Sequence, residues 1–219
     1  MITTIKKDTV AFLKDLKAHN NRNWFNANKE RYLSANENFI QVVQAMIMEI
    51  YTFDDSVRGA DARKCVFRIY RDIRFAKDKS PYKTNFGAVL TGKGRDSALY
   101  YFHLSPSNSF LAGGIHQPES KVIRAVRREI SRNGREFLKI IGERKFKEHL
   151  ELTGEKLSRV PQGFERDDPM AEYLKFKEIL VHHRLSEKQI LSSDLVSHSG
   201  KVFRAMLPFN EFLRRPTAD

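Results

Sequence analysis

The hydrophobic period of this chain changes near residue 65, and that change limits the fold more than any other feature. Before it, apolar residues recur at helical spacing. Val10, Leu13 and Leu16 mark one stripe, and Tyr32, Phe39, Val42-Val43, Met46-Ile47 and Ile50 mark a longer one. Such stripes are the signature of helices with one buried face. From Cys65 to Phe75, however, Phe67, Ile69, Ile73 and Phe75 share one phase while Arg68, Tyr70, Asp72 and Arg74 share the other. That is the two-residue period of a half-buried strand. Arg71 falls in the apolar phase, so the strand is expected to bulge or end there.

The remaining elements follow from similar cues. A first helix is expected over residues 8–18, with Asp8 or Thr9 as N-cap, ended by His19-Asn20-Asn21-Arg22-Asn23. Asn26 or Asn28 then caps a longer helix that stops near Phe53-Asp54-Asp55. Strands are expected at 65–75, 86–90, 98–104 and 110–112. Turns at Gly92-Lys93-Gly94-Arg95-Asp96 and Ser105-Pro106-Ser107-Asn108 separate them, and Gly113-Gly114 ends the set. Pro118 opens a helix over 119–132, followed by a helix over 135–141, a strand over 176–185 and a helix over 191–213. The expected fold is α+β, an antiparallel β-meander packed against N-terminal and C-terminal helices. No Pro/Gly/Ser-rich linker interrupts the 219 residues, so a single domain over 1–219 is expected.

Composition narrows the function classes. The single cysteine, Cys65, excludes an internal disulfide framework, and beside Val66-Phe67 it reads as a small buried hydrophobe. Lys6, Lys7 and Asp8 stand where a secretion signal needs apolar residues, and no run of about 18 apolar residues occurs. A reducing, cytoplasmic location with no membrane partner is therefore expected. The formal net charge of +12 favours anionic partners, whether small phosphorylated ligands, nucleic acid or acidic proteins. The phosphate loop, the dinucleotide fingerprint, the zinc-protease helix and the nucleophile elbow are all absent from the sequence. No cofactor and no metal site are expected.

One segment stands out chemically. Residues Arg68 to Lys83 carry Arg68, Arg71, Arg74, Lys77, Lys79 and Lys83 against Asp72 and Asp78, with Tyr70 and Tyr82 among them. Guanidinium forks grip carboxylate or phosphate, lysines add point charge, and tyrosine hydroxyls donate to the same anion. Pro81 stiffens the segment. Arg68, Tyr70, Arg71, Asp72, Arg74, Lys77, Lys79, Tyr82 and Lys83 are therefore the candidate ligand-binding residues. No catalytic residue can be named.

This run, together with Phe12-Leu13, Asn20-Asn21-Arg22, Trp24-Phe25, Gly113-Gly114, Pro161, Gly163-Phe164 and Leu174-Lys175, resembles the family called domain of unknown function 2461. The resemblance spans nearly the whole chain. It implies one full-length domain and no assigned reaction or catalytic residue.

Two further features invite a functional reading. Trp24-Phe25 could stack a ring beside the basic segment, or simply staple the first two helices. Lys121, Arg124, Arg128, Arg132 and Arg135 fall on one helical face that could track a phosphate backbone or be merely solvated. His103, in phase with Tyr101 and Leu99, is expected beside the basic segment on the sheet. Three functions follow, each with its own requirement. A pocket for a small anion requires the basic residues to converge. A nucleic-acid module requires the basic helix and the 68–83 loop to be continuous. A protein-interaction domain requires Asp72 and Asp78 to neutralise their neighbours internally.

Overall fold

A computed structural model describes residues 3–92 and 97–217. The turn expected at residues 93–96 lies outside the described residues. Helices α1 (Lys7–Ala18), α2 (Arg22–Ala27), α3 (Lys29–Tyr51) and α4 (Ala62–Cys65) precede strands β1 (Phe86–Leu90), β2 (Leu99–Leu104) and β3 (Ser109–Ile115). Then come α5 (Ser120–Arg132), α6 (Gly134–Gly142), α7 (Arg144–His149), β4 (Glu151–Thr153) and α8 (Ala171–Leu174). Strand β5 (Ile179–Leu185), α9 (Glu187–Ile190) and α10 (Leu195–Arg214) complete the order. The strands form one five-stranded antiparallel sheet in the order β1-β2-β3-β5-β4. The fold is α+β, as expected, with β1-β2-β3 as its meander.

The chain divides into two compact units, residues 1–93, 101–111 and 184–200 in the first and the remainder in the second. In the first, α1 and α3 pack together through Phe12, Leu13 and Leu16 on one side and Phe39, Val42, Val43 and Met46 on the other, all buried. Phe39 continues this core onto the sheet, 5.4 Å from Phe86 and 5.3 Å from Phe102 between ring centres. The start of α1 is not capped by Asp8 or Thr9. Its N-cap is Lys6, whose side chain makes no cap bond. Instead the buried Asn38 of α3 accepts from the Lys6 N–H at 2.9 Å and the Thr9 hydroxyl at 2.8 Å. A long-range amide thus ties the start of α1 to α3 without capping it.

In the second unit, Val126 and Ile130 of α5 and Val202, Phe203, Met206, Phe209 and Phe212 of α10 are fully buried. Phe137 of α6 joins them 5.4 Å from Phe212. Asn210 Nδ2 donates to the Leu99 carbonyl and Arg214 Nε to the Ala98 carbonyl, tying α10 to the start of β2. The Gly113-Gly114 pair does not end β3 but lies inside it. Gly114 has φ +108°, and a Cβ there would sit 2.1 Å from the Ile179 carbonyl oxygen. Only glycine allows that approach.

The largest correction concerns residues 65–75. Cys65 ends α4, and no ladder strand follows. The segment runs extended along the outer edge of β1 through isolated bridges, Val66↔Ala88 and Tyr70↔Tyr82. Between those bridges three residues (67–69) oppose five (83–87), so the two extra residues break the ladder. The alternation holds as far as Tyr70: Ile69 is buried while Arg68 and Tyr70 are exposed. It fails at Phe75, which is 97% exposed.

Candidate functional site

Residues 66–88 form a hairpin-like arm on β1, the strand at one end of the sheet. Its root is closed by Phe67 N–H to the Gly87 carbonyl (2.8 Å), Lys83 N–H to the Ile69 carbonyl (2.8 Å) and Arg71 N–H to the Pro81 carbonyl (3.0 Å). Asn20 then clamps the returning strand, donating Nδ2 to the Tyr82 carbonyl at 2.9 Å and accepting the Tyr82 N–H at 3.1 Å. Tyr82 is buried and stacks on Phe25, ring centres 3.9 Å apart and planes at 15°. The Asn20 clamp had no sequence signal, because its partner lies 62 residues away.

The nine candidate residues separate into two groups. At the tip, Arg71 donates to Asp78 at 2.5 Å and to the Ser80 hydroxyl at 2.7 Å and carbonyl at 3.1 Å. Arg74 grips Asp72 with two donors, Nε at 3.0 Å and Nη2 at 2.6 Å. Lys79 Nζ donates to the Ile73 and Arg74 carbonyls. Bonds from Ser80, then from Arg71, hold the Asp78 carboxyl well below the usual carboxylate range. The Arg74 bonds hold Asp72 low in the same way. Lys77 is exposed and makes no ion pair among the described residues.

At the root the cations have no acid bonded to them. Arg68 is exposed, and its guanidinium has no hydrogen bond or ion pair among the described residues. Lys83 is half-buried, its Nζ 5.2 Å from the centre of the Phe67 ring. Burial, then the nearby charge of Arg68, pushes the Lys83 ammonium down from its ordinary value. Tyr70 packs toward the helices, its ring 5.5 Å from Tyr82 and 6.1 Å from Phe25 and its hydroxyl 3.4 Å from Lys29 Nζ. Tyr82 hydroxyl titration is displaced upward, first by burial and then by Tyr70. Candidate residues therefore do not converge on one point: Arg68 lies in the field of both Lys83 and Asp72 without an acid bonded to it, while Arg71, Arg74 and Lys79 are held within the tip.

Beside the root, on the sheet, lies an aromatic row that includes His103, expected there, and Tyr101, its partner in strand phase. Phe67 is 6.2 Å from Tyr101, and the Tyr101 hydroxyl is 3.0 Å from His103 Nδ1. His103 stacks on Phe110 at 4.6 Å with planes at 10°. Burial pushes the Tyr101 phenol up to about 12, so it keeps its proton throughout the neutral range. Trp24 and Phe25 both pack within the protein, and Phe25 is buried. Trp24 packs on Phe12 of α1 at 6.1 Å, whereas Phe25 reaches the arm.

The basic helix face lies in the second unit. Lys121, Arg124, Arg128, Arg132 and Arg135 are all exposed, and Arg127 is buried with Nη2 on the Phe176 carbonyl at 2.6 Å. His116 Nδ1 meets Glu178 at 2.6 Å. Among the described residues no cluster of three or more His, Cys, Asp or Glu could hold a metal, and no helix is long and apolar enough to cross a membrane.

An α+β protein with a basic, tyrosine-bearing arm along its terminal strand is the class this fold and site define. The chain belongs to the family described as Conserved hypothetical protein (DUF2461), which it matches over residues 8–212. No match was found among curated proteins or solved structures.

Proposed function

We propose that the protein binds a small anion, a phosphate or carboxylate group, at a reduced site between Arg68 and Lys83 at the root of the arm, since the full set of basic residues does not converge. The observation that carries this is the pair of neighbouring cations with no carboxylate bonded to either, one of them half-buried. A cation held partly out of water is costly unless an opposite charge meets it. Elsewhere on the arm that demand is already met by Asp72 and Asp78. Arg68 supplies a fork for the anion and Lys83 a point charge.

Thermal unfolding in the presence of phosphate, pyrophosphate, simple carboxylates and short oligonucleotides tests this. A ligand at about 100 times its dissociation constant stabilises the fold by about 2.7 kcal/mol, a rise of several degrees for a chain this size. The rise should vanish in Arg68→Gln and Lys83→Gln and persist in Arg74→Gln, whose guanidinium is held by Asp72. Unchanged responses in the first two variants would sink the proposal. A response to oligonucleotides alone, fading steeply with salt, would move the function to nucleic acid and to the exposed basic face of α5.

A further inference from the structure

We infer that the anion bound at the root carries a planar ring, and that this ring packs on the row from Phe67 to Phe110; the inference rests on the anion reading above. Its basis is the position of Lys83. The ammonium lies 5.2 Å from the centre of the Phe67 ring. An anion hydrogen-bonded to that ammonium, at about 2.8 Å, is already beside Phe67, so the next atoms of the ligand begin at its face. From there the surface stays aromatic. Tyr101 follows at 6.2 Å, Phe110 lies 5.8 Å beyond it, and His103 lies 4.6 Å from Phe110 in a nearly parallel plane. All four rings are half-buried rather than sealed in the core.

The strand beneath leaves room for the first two rings of the row. Gly87 of β1 faces it without a side chain. A Cβ there would lie 2.5 Å from the Tyr101 hydroxyl oxygen and 3.3 Å from Phe67 Cδ2. Glycine therefore lets Phe67 and Tyr101 close over the strand, where any larger residue would push them apart. The hydroxyl–imidazole pair of Tyr101 and His103, 3.0 Å apart, adds polar atoms for a heteroatom at the ring edge. A merely solvated strand edge needs charge and no such row. Cations at one end and π faces along the other are what a ring-bearing anion engages.

Isothermal titration of the full chain with methyl, cyclohexyl and phenyl phosphate separates the claims, because the three carry the same charged group. Phenyl phosphate should bind at least about tenfold more tightly than methyl phosphate, within the range known for stacking on an aromatic side chain. Phe67→Leu should remove most of that gain, weakening phenyl phosphate far more than methyl phosphate, whereas Lys83→Gln should weaken both. Phe110→Leu, at the far end of the row, serves the same purpose if Phe67→Leu does not fold. Equal affinity for all three esters, or a phenyl preference intact in the folded variants, would overturn the ring inference and leave the anion site standing. Equal gains for cyclohexyl and phenyl would replace the planar ring by any apolar group and so overturn it too. Binding of none of the three would overturn both the ring inference and the proposed anion site.

Discussion

The tip and the root of one arm solve the same problem, a surplus of positive charge, in opposite ways. At the tip, Asp72 and Asp78 sit within hydrogen-bond reach of Arg74 and Arg71, and Lys79 caps two carbonyls. The charges there make a self-contained turn. At the root, Arg68 and Lys83 have no bonded acid, and Lys83 stands beside a ring instead. Similar composition therefore yields a self-neutralised turn in one place and a pair of cations with no bonded acid in the other. What separates them is spacing: the aspartates lie two and seven residues from the arginines they hold.

Three measurements would break or sharpen this contrast. The root depends on long-range packing, so Phe25→Ala should cost about 3–5 kcal/mol, as for other buried aromatics cut to alanine, read by denaturant unfolding. A loss below about 1 kcal/mol would mean that the Phe25–Tyr82 stack does not anchor the arm. Asn20→Ala comes next. It leaves the Tyr82 N–H and carbonyl without their clamp and should cost about 1–3 kcal/mol. It should also speed amide exchange at Tyr82 ahead of the α1–α3 core. The smallest effect belongs to the tip. Asp78→Asn should leave global stability unchanged while speeding exchange at residues 78–80. Asp78 has a depressed carboxyl, so its contribution is present above the unfolded value near 4 and is lost as pH falls below it. The wild-type tip should loosen only in that acid range, and loosening at neutral pH would contradict the ion-pair account.

The same contrast explains what the sequence reveals. Helices α1, α3, α5 and α10 and strands β1 and β2 were legible because each buries one face of a regular period. Residues 66–75 were not, since alternation records which side chains point inward but not whether the partner strand keeps register. The two extra residues at 83–87 are invisible until both bridges are known. Gly113-Gly114 misleads for a related reason. Glycines punctuate turns, but here one is required by the close approach of the Ile179 carbonyl. At the site, the local pairs Asp72–Arg74 and Arg71–Asp78 follow from short spacing. The Asn20 clamp, the Phe25 stack and the Phe67–Phe110 row join distant parts of the chain, and strand phase pointed only to His103 and Tyr101 within the row.

Trp24, packed between Phe12 and His19, gives the protein a built-in spectroscopic reporter. It is the sole tryptophan of the chain and belongs to the first compact unit. Its emission on denaturation therefore follows the surroundings of α1 and α2. Far-UV ellipticity sums the helices of both units. Superimposable curves from the two probes are the mark of a single cooperative transition, and an emission change that runs ahead of the ellipticity is the mark of units that melt separately.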